Sequence, residues 1–483
     1  MFKTIADKIP SDSDYPVRRQ TINVLTRILD GKFYDHLPHS FHTETNPAGE
    51  YAPLRDRRPS VKYALCRTVV DDSVSLVFSE GHFPDIDCAD ETVRGKLADA
   101  IKESKINEIM LDAATKGSVG SVAIQFRVLD GRMFFDARST EFLTPVYDPQ
   151  APDTLIKIVE RYKVRGEDLV AAGYNIKSDE HKTEFWMHTE WDADNETWFI
   201  PYLVRPDKPI TPRIDKKHSV NHALGFVPWV WVKNLPGGDD IDGRSTFADA
   251  IDTSIEVDYL LSQGGRGLKY ASDPTLLIKE PAFSDGTITK GAGNAIKVSA
   301  DGDAKLLEIN GTASAALIDY VKFLRELAIE SIHGNRMGAD KIAAAQSGRA
   351  MEIMNAALIN LADKLRLSYG EGALLSLLKM IVAASNKYPI KVDGGDLGKL
   401  NAKEKITLRW PAWYAPTAED RMNTSTTLKT ATEGGFLSKE TAVNTIAADY
   451  DVEDVPAELA LIAKEAIEQR KTDQAFKGRQ AET

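Results

Sequence analysis

Cysteine is nearly absent. Cys66 and Cys88 are the only two in 483 residues, so a disulfide framework and a cysteine-rich zinc site are both excluded, and the usage suits a reducing compartment. Long apolar runs are missing as well, and no membrane-spanning helix and no membrane partner are expected. The opening MFKTIADKIPSDSDYP has neither an apolar h-region nor a small-residue cleavage site, so no signal peptide is expected. Positive charge is outnumbered: 60 Lys and Arg stand against 72 Asp and Glu, a net charge of −12. Bulk wrapping of DNA runs on phosphate neutralisation and is disfavoured by that balance. Passage of DNA past the protein without sticking is not.

What is present is globular. Hydrophobic residues make up 42% and charged residues 27% of the chain, enough to bury a core and long enough for about three domains. Apolar residues recur at helical spacing in three early segments: Val17 to Leu29, 60–80 on Val61, Leu65, Val69 and Val74, and 92–116. From 119 to about 235 the period becomes two, in segments such as SVAIQFRVL, TLIKIVERYKV and KTEFWMHTEWD, which predicts antiparallel sheet. Helix returns at 244–271 and 314–333, around a stretch rich in Gly, Asp and Lys with short strands (TLLIKE, AIKVSA, AKLLEI). A long helical pattern over 349–386 is interrupted at Gly370-Glu371-Gly372, and the chain ends in acidic helix with a break at Gly434-Gly435. The fold class read from this order is α+β.

Catalytic chemistry is scarce. Cys88-x5-Arg94 has the spacing of a phosphatase loop, but Asp90 and Glu91 between them would repel a phosphate and raise the thiol pKa. The plainer reading is a loop-to-helix junction with Asp90 or Glu91 at the helix N-terminus. His36, His39 and His42 are spaced like a metal triple, but Pro38 and a loop setting break any shared face. Asp301-Gly302-Asp303 lacks the remaining ligands of a calcium loop. Lys116-Gly117-Ser118 is no P-loop, and neither H-E-x-x-H nor G-x-S-x-G occurs. No catalytic residue, no cofactor and no metal ligand is assigned.

Four segments in order carry a resemblance. They are Arg58-Pro59-Ser60 through Gly81; His222-Ala-Leu-Gly-Phe-Val-Pro228 followed by Asn234 and Gly243-Arg-Ser245; Ser347-Gly348-Arg349-Ala350 at the start of a long helix; and WPAWYAPTAEDRMNTSTTLKTATEGGFLSKETAV near the C-terminus. Together they resemble the portal proteins, or head-to-tail connectors, of tailed bacteriophages, most of all those of long-tailed phages. The loop at 334–346 departs from the pattern, lacking the proline expected after the preceding helix. The alternative reading is a soluble α+β enzyme of hydrolase type, because the order helix, sheet, helix, insertion, helix is common in large α+β enzymes.

The resemblance implies a portal fold. Residues 1–243 form the wing, 244–271 and 313–333 two stem helices, 272–312 a clip and 334–348 a tunnel loop. Residues 349–415 give a long kinked helix with a returning wing strand, and 416–483 the crown and tail. It also implies a non-enzymatic homo-oligomeric ring, usually of twelve subunits, at one capsid vertex of the virion, assembled in the host cytoplasm. Double-stranded DNA passes through its axis in packaging and ejection. Terminase large subunit, head-completion or adaptor proteins, and major capsid and scaffolding proteins are the implied partners. Arg336 and Lys341 in the tunnel loop are the implied phosphate contacts. Asp249, Asp252 and Glu256, with Asp258, are the acids of the first stem helix. They either line the channel, form a solvated face, or pair with a neighbouring subunit.

Overall fold

The structure is a computed structural model that describes residues 1–204, 211–272, 275–281, 298–307, 312–332, 348–414, 416–450, 452 and 454–480. The chain divides into two compact units, Met1–Asn335 with Ala357–Pro411 and Arg336–Ala356 with Ala412–Thr483. The fold is α+β, with small antiparallel sheets set among helices.

In the first unit, helix Leu65–Phe78 is buried almost all round because it packs on helix Ile106–Gly117 and on helix Ile251–Ser272. Val61, expected on its apolar face, precedes the helix and is exposed. The segment expected as one helix over 92–116 is two, Glu91–Glu103 and Ile106–Gly117, separated by Lys105 in the left-handed region at φ 51°. The Asp90 carboxylate accepts from the Thr92 and Val93 N–H groups at 2.9 and 3.2 Å and caps the first of them. That is the junction reading of the Cys88 segment. Burial and the Glu404 carboxylate hold the Cys88 thiol above its ordinary range.

Two antiparallel sheets form where the period-two pattern lies. One has the strand order Trp229–Lys233, Ser121–Leu129, Arg132–Ser139. Its hairpin turns on Asp130-Gly131, both at positive φ (50° and 79°), the backbone a two-residue type I′ turn requires. The other runs Val220–Asn221, Asn195–Trp198, Glu184–Trp191, Leu155–Arg165, Leu143–Tyr147, with Tyr202–Leu203 also paired to Glu184–Trp191. The sheets share a core of Ala123, Leu143, Ile158, Val227, Trp191 and Trp229, the two indoles edge to face at 5.0 Å.

Helices Ile251–Ser272 and Thr312–Ser331 pack against each other. Ala250 meets Ala328, Ile329 and Ile332 in one cluster, while Gly264 lies against Leu317, so the pair is antiparallel. Between them, strands Thr275–Pro281 and Val298–Leu307 form a two-stranded ribbon. The described parts of the two later segments expected as separate short strands, 298–300 and 304–307, belong to this second strand, and Asp301 to Asp303 lie within it rather than in a loop.

The long helical pattern becomes helix Ala356–Leu365, a π-helix Arg366–Leu374 and helix Leu375–Ser385. By length and composition Ala356–Ser385 could cross a membrane. Its apolar residues Leu361, Leu365, Leu374, Leu377, Leu378 and Ile381 are instead in the core of the unit. The π-turn falls on the interruption read from Gly370 and Gly372, and its cause is lateral. Gly370 abuts the Trp410 ring, where a Cβ would overlap it.

The second unit holds helices Ala418–Glu433, Lys439–Ile446 and Val455–Gln480. Thr417 and Asp420 form a full capping box, each side chain accepting the other's backbone N–H at 3.2 and 3.0 Å. The Ser438 hydroxyl accepts the Thr441 N–H at 3.1 Å, a one-sided cap. Neither of the first two helices buries a residue.

Candidate functional site

The acids of helix Ile251–Ser272 and the short 3-10 turn that leads into it separate by angle. At about 100° per residue, Asp249, Asp252 and Glu256 fall within about 60° of one another, and all three are exposed. Asp258 falls on the opposite side and is 5% exposed. It is therefore not part of the polar face with which the sequence groups it. Its carboxylate accepts from the Tyr34 hydroxyl at 2.8 Å and the Tyr63 N–H at 2.7 Å, and burial pushes its pKa up to about 6. Tyr259, beside it, donates its hydroxyl to the Arg57 carbonyl at 2.8 Å. These bonds fix the helix to the chain between Tyr34 and Tyr63.

The three exposed acids differ among themselves. Asp249 pairs with the Arg244 guanidinium. Asp252 accepts the Phe2 N–H at 3.1 Å. Glu256 has no hydrogen-bond or ion-pair partner among the described residues. Arg336 and Lys341 lie outside the described residues, so the geometry they would share with these acids is not drawn.

The segment that leads into the helix is held by Asn234, fully buried. Its amide donates to the Arg244 carbonyl and the Thr246 hydroxyl, both at 2.9 Å. Its side-chain oxygen accepts from the Tyr369 hydroxyl at 3.0 Å. The Asn234 and Gly243 N–H groups both donate to the Gly120 carbonyl at 2.9 Å. A side chain at Gly243 would press on the Asn234 and Leu235 backbone, and one at Gly117 would overlap the Tyr369 hydroxyl. The spacing N…G-x-S is thus a packing device: a buried amide stitches two passes of chain together, and the glycines let them approach.

One residue that motif reading does not single out anchors the same corner. Arg18 spends all five donors: on both Asp242 carboxylate oxygens at 2.5 and 2.8 Å, on the Thr140 and Leu143 carbonyls at 2.9 and 3.0 Å, and on the Ser121 hydroxyl at 3.4 Å. Its partners are 103 to 224 positions away, so only the fold brings them together. His222 opens the H-x-L-G-x-x-P segment as a structural histidine. Its Nδ1 accepts the Leu224 N–H at 3.4 Å, and its carbonyl accepts from the Tyr388 hydroxyl. Burial holds its pKa below the ordinary range. Among the described residues no group of His, Cys, Asp and Glu is arranged to hold a metal ion. His36 instead meets the Ile5 carbonyl through Nε2 at 3.0 Å.

The geometry defines an α+β body from which two long antiparallel helices lead to a β ribbon, with polar networks that brace the helix roots. The sequence matches the family described as phage portal protein, SPP1 Gp6-like, over residues 10–472. The chain belongs to that family and is a phage portal protein, a structural component of the virion capsid. No individual curated protein matches it.

Proposed function

We propose that copies of this chain form a ring, twelve in number, at one capsid vertex, and that double-stranded DNA enters and leaves through its axis. The observation that carries this is the match across nearly the whole chain, together with the antiparallel pair Ile251–Ser272 and Thr312–Ser331. At 1.5 Å per residue these helices are about 33 and 30 Å long, enough for a channel wall. Residues 272–312, which contain the ribbon strands Thr275–Pro281 and Val298–Leu307, serve as the clip that meets the terminase large subunit during packaging and head-completion proteins afterwards. The role is structural, and ATP hydrolysis belongs to the motor. Assembly in the host cytoplasm with major capsid and scaffolding proteins completes the reading.

Asp252 and Glu256 face the channel in this reading, with Asp249 tempered by Arg244 and Asp252 by the N-terminal ammonium at 3.6 Å. DNA carries one charge per about 1.7 Å of axis; an acidic wall leaves the duplex hydrated and sliding, where a basic one would grip it. Arg336 and Lys341 in the tunnel loop supply the few phosphate contacts that brake it.

Particle imaging and native mass measurement of the purified chain test the ring. Closed rings are the expected result, and monomer at every concentration would overturn the assignment. Packaging by phage carrying Asp252→Lys with Glu256→Lys tests the wall. We expect slower packaging that added salt partly restores, and an unchanged rate would remove these acids from the channel.

A further inference from the structure

We propose that Arg57 is the receptor for a small oxyanion, a carboxylate or phosphate group, bound at the edge of the guanidinium that Tyr51 covers. The proposal goes beyond the ring reading and does not depend on it.

Arg57, Glu160, Asp215 and Asp258 are the charged side chains that the described residues bury. Three of them are answered within the chain. Glu160 pairs with Arg138, Asp215 meets His218 Nδ1 at 2.6 Å, and Asp258 accepts from Tyr34 and Tyr63. Arg57 is 2% exposed and has no acid within ion-pair reach among the described residues. Its Nε donates to the Ala52 carbonyl at 2.8 Å, while Nη2 is buried with no partner. The Tyr51 ring covers the guanidinium, its centroid 5.0 Å from Cζ. The acids around it in the chain are committed elsewhere: Asp56 to Lys8, Glu44 to Arg266, and Glu50 to the Asn46 amide at 3.0 Å. Arg18 shows the contrast, since it spends every donor on its own chain.

An arginine keeps its charge inside a protein, and a buried charge with no counter-charge is strongly unfavourable. The sign of the missing partner follows from the surroundings. Arg55 and Arg58 flank the site, both exposed and with no side-chain ion pair among the described residues, so the local field draws an anion. Its shape follows from the fork. The two Nη groups present parallel N–H bonds that match two coplanar oxygens. The receptor is held in place. The Arg57 carbonyl accepts the Tyr259 hydroxyl at 2.8 Å, and Arg57–Arg58 pairs with His39–Ser40. A cation fixed in advance loses little freedom on binding. The cover is the movable part: Tyr51 is 67% exposed and closes a short turn through its bridge to Thr45, so its ring can swing aside without opening the core.

The test is titration calorimetry of the full chain with sodium phosphate and, separately, sodium acetate at constant ionic strength, with thermal melts in parallel. We expect one saturable site per chain, and at a hundred times the dissociation constant the unfolding constant should fall about 100-fold. The tighter probe tells a phosphate from a carboxylate. Arg57→Met should lose the response and melt above wild type in buffer free of both anions, because a buried charge gives way to an apolar chain of similar length. Arg57→Lys keeps the charge without the fork and should bind roughly tenfold more weakly or worse; together with the wild-type titration it decides the matter even where the Met variant does not fold. A phosphate response unchanged by Arg57→Met would mark an adventitious ion only and overturn the proposal. So would a wild type with no saturable site for either probe, which leaves the guanidinium to water. Neither result touches the ring reading.

Discussion

Asp258 shows how one side chain couples helix Ile251–Ser272 to the solvent's pH. The folded pKa of about 6 lies above the ordinary 3.8, so the fold prefers the proton. That preference is complete below about pH 4 and is lost as pH rises through 6. Asp258→Asn keeps both hydrogen bonds, with its oxygen accepting from Tyr63 and its amide donating to Tyr34. The variant should match wild type near pH 4 and gain on the order of 3 kcal/mol by pH 8, read as a melting-temperature difference that grows with pH. The opposite trend would mean that the buried carboxylate is stabilised as an anion. Tyr369 makes a second residue-scale case. Tyr369→Phe leaves the Asn234 oxygen buried without its donor and should cost about 1–3 kcal/mol. Gly117→Ala should cost less in the Tyr369→Phe background than alone, because the hydroxyl it strikes is gone.

The π-turn Arg366–Leu374 belongs to the scale of elements. It carries one more residue per turn than its flanks and so sets the angular phase of helix Leu375–Ser385. Deleting exposed Glu371 would remove that extra residue and return the turn to α geometry, with Leu377, Leu378 and Ile381 still facing the core. Thermal unfolding should keep its cooperative transition in the deletion, where loss of that transition would overturn this account, and should change within about 0.5 kcal/mol for Glu371→Ala. Gly370→Ala, which drives a methyl into Trp410, should cost about 1–3 kcal/mol. Here the limits of reading sequence are physical. Gly370 and Gly372 mark an interruption, but its form depends on a tryptophan forty positions away. Helices Ile251–Ser272 and Thr312–Ser331, the sheet region and the ribbon were legible because each is a local period. The split at Lys105 was not, since it turns on one left-handed residue inside an unbroken apolar pattern. The grouping of Asp258 with Asp249, Asp252 and Glu256 failed on angle: the residues are close in sequence and half a turn apart in space. Arg18 left no local signal at all.

For the whole molecule, the ribbon Thr275–Pro281 with Val298–Leu307 is too small to bury a core of its own, and neighbours in a ring would cover it. Phage carrying a deletion of 272–312 should make capsids that fail to package, while the purified variant keeps the sheet signature of the first unit. Normal packaging by that deletion would remove the clip role. Acidity acts at the same scale: at −12 per chain, identical copies repel. Ring yield should therefore rise with salt up to a Debye length near 8 Å, and sedimentation at two ionic strengths checks it.

The strand Thr407–Arg409 pairs with Asp85–Asp87, and Trp410, just after it, rests 6.1 Å from Phe78. A ribosome making this chain must therefore release more than three hundred residues after Phe78 before that residue meets its partner. Until then helix Leu65–Phe78 offers an uncovered end to every other nascent chain on the same message. In the proposed ring such chains are neighbours, and premature stops before 410 should appear in the pellet rather than in rings.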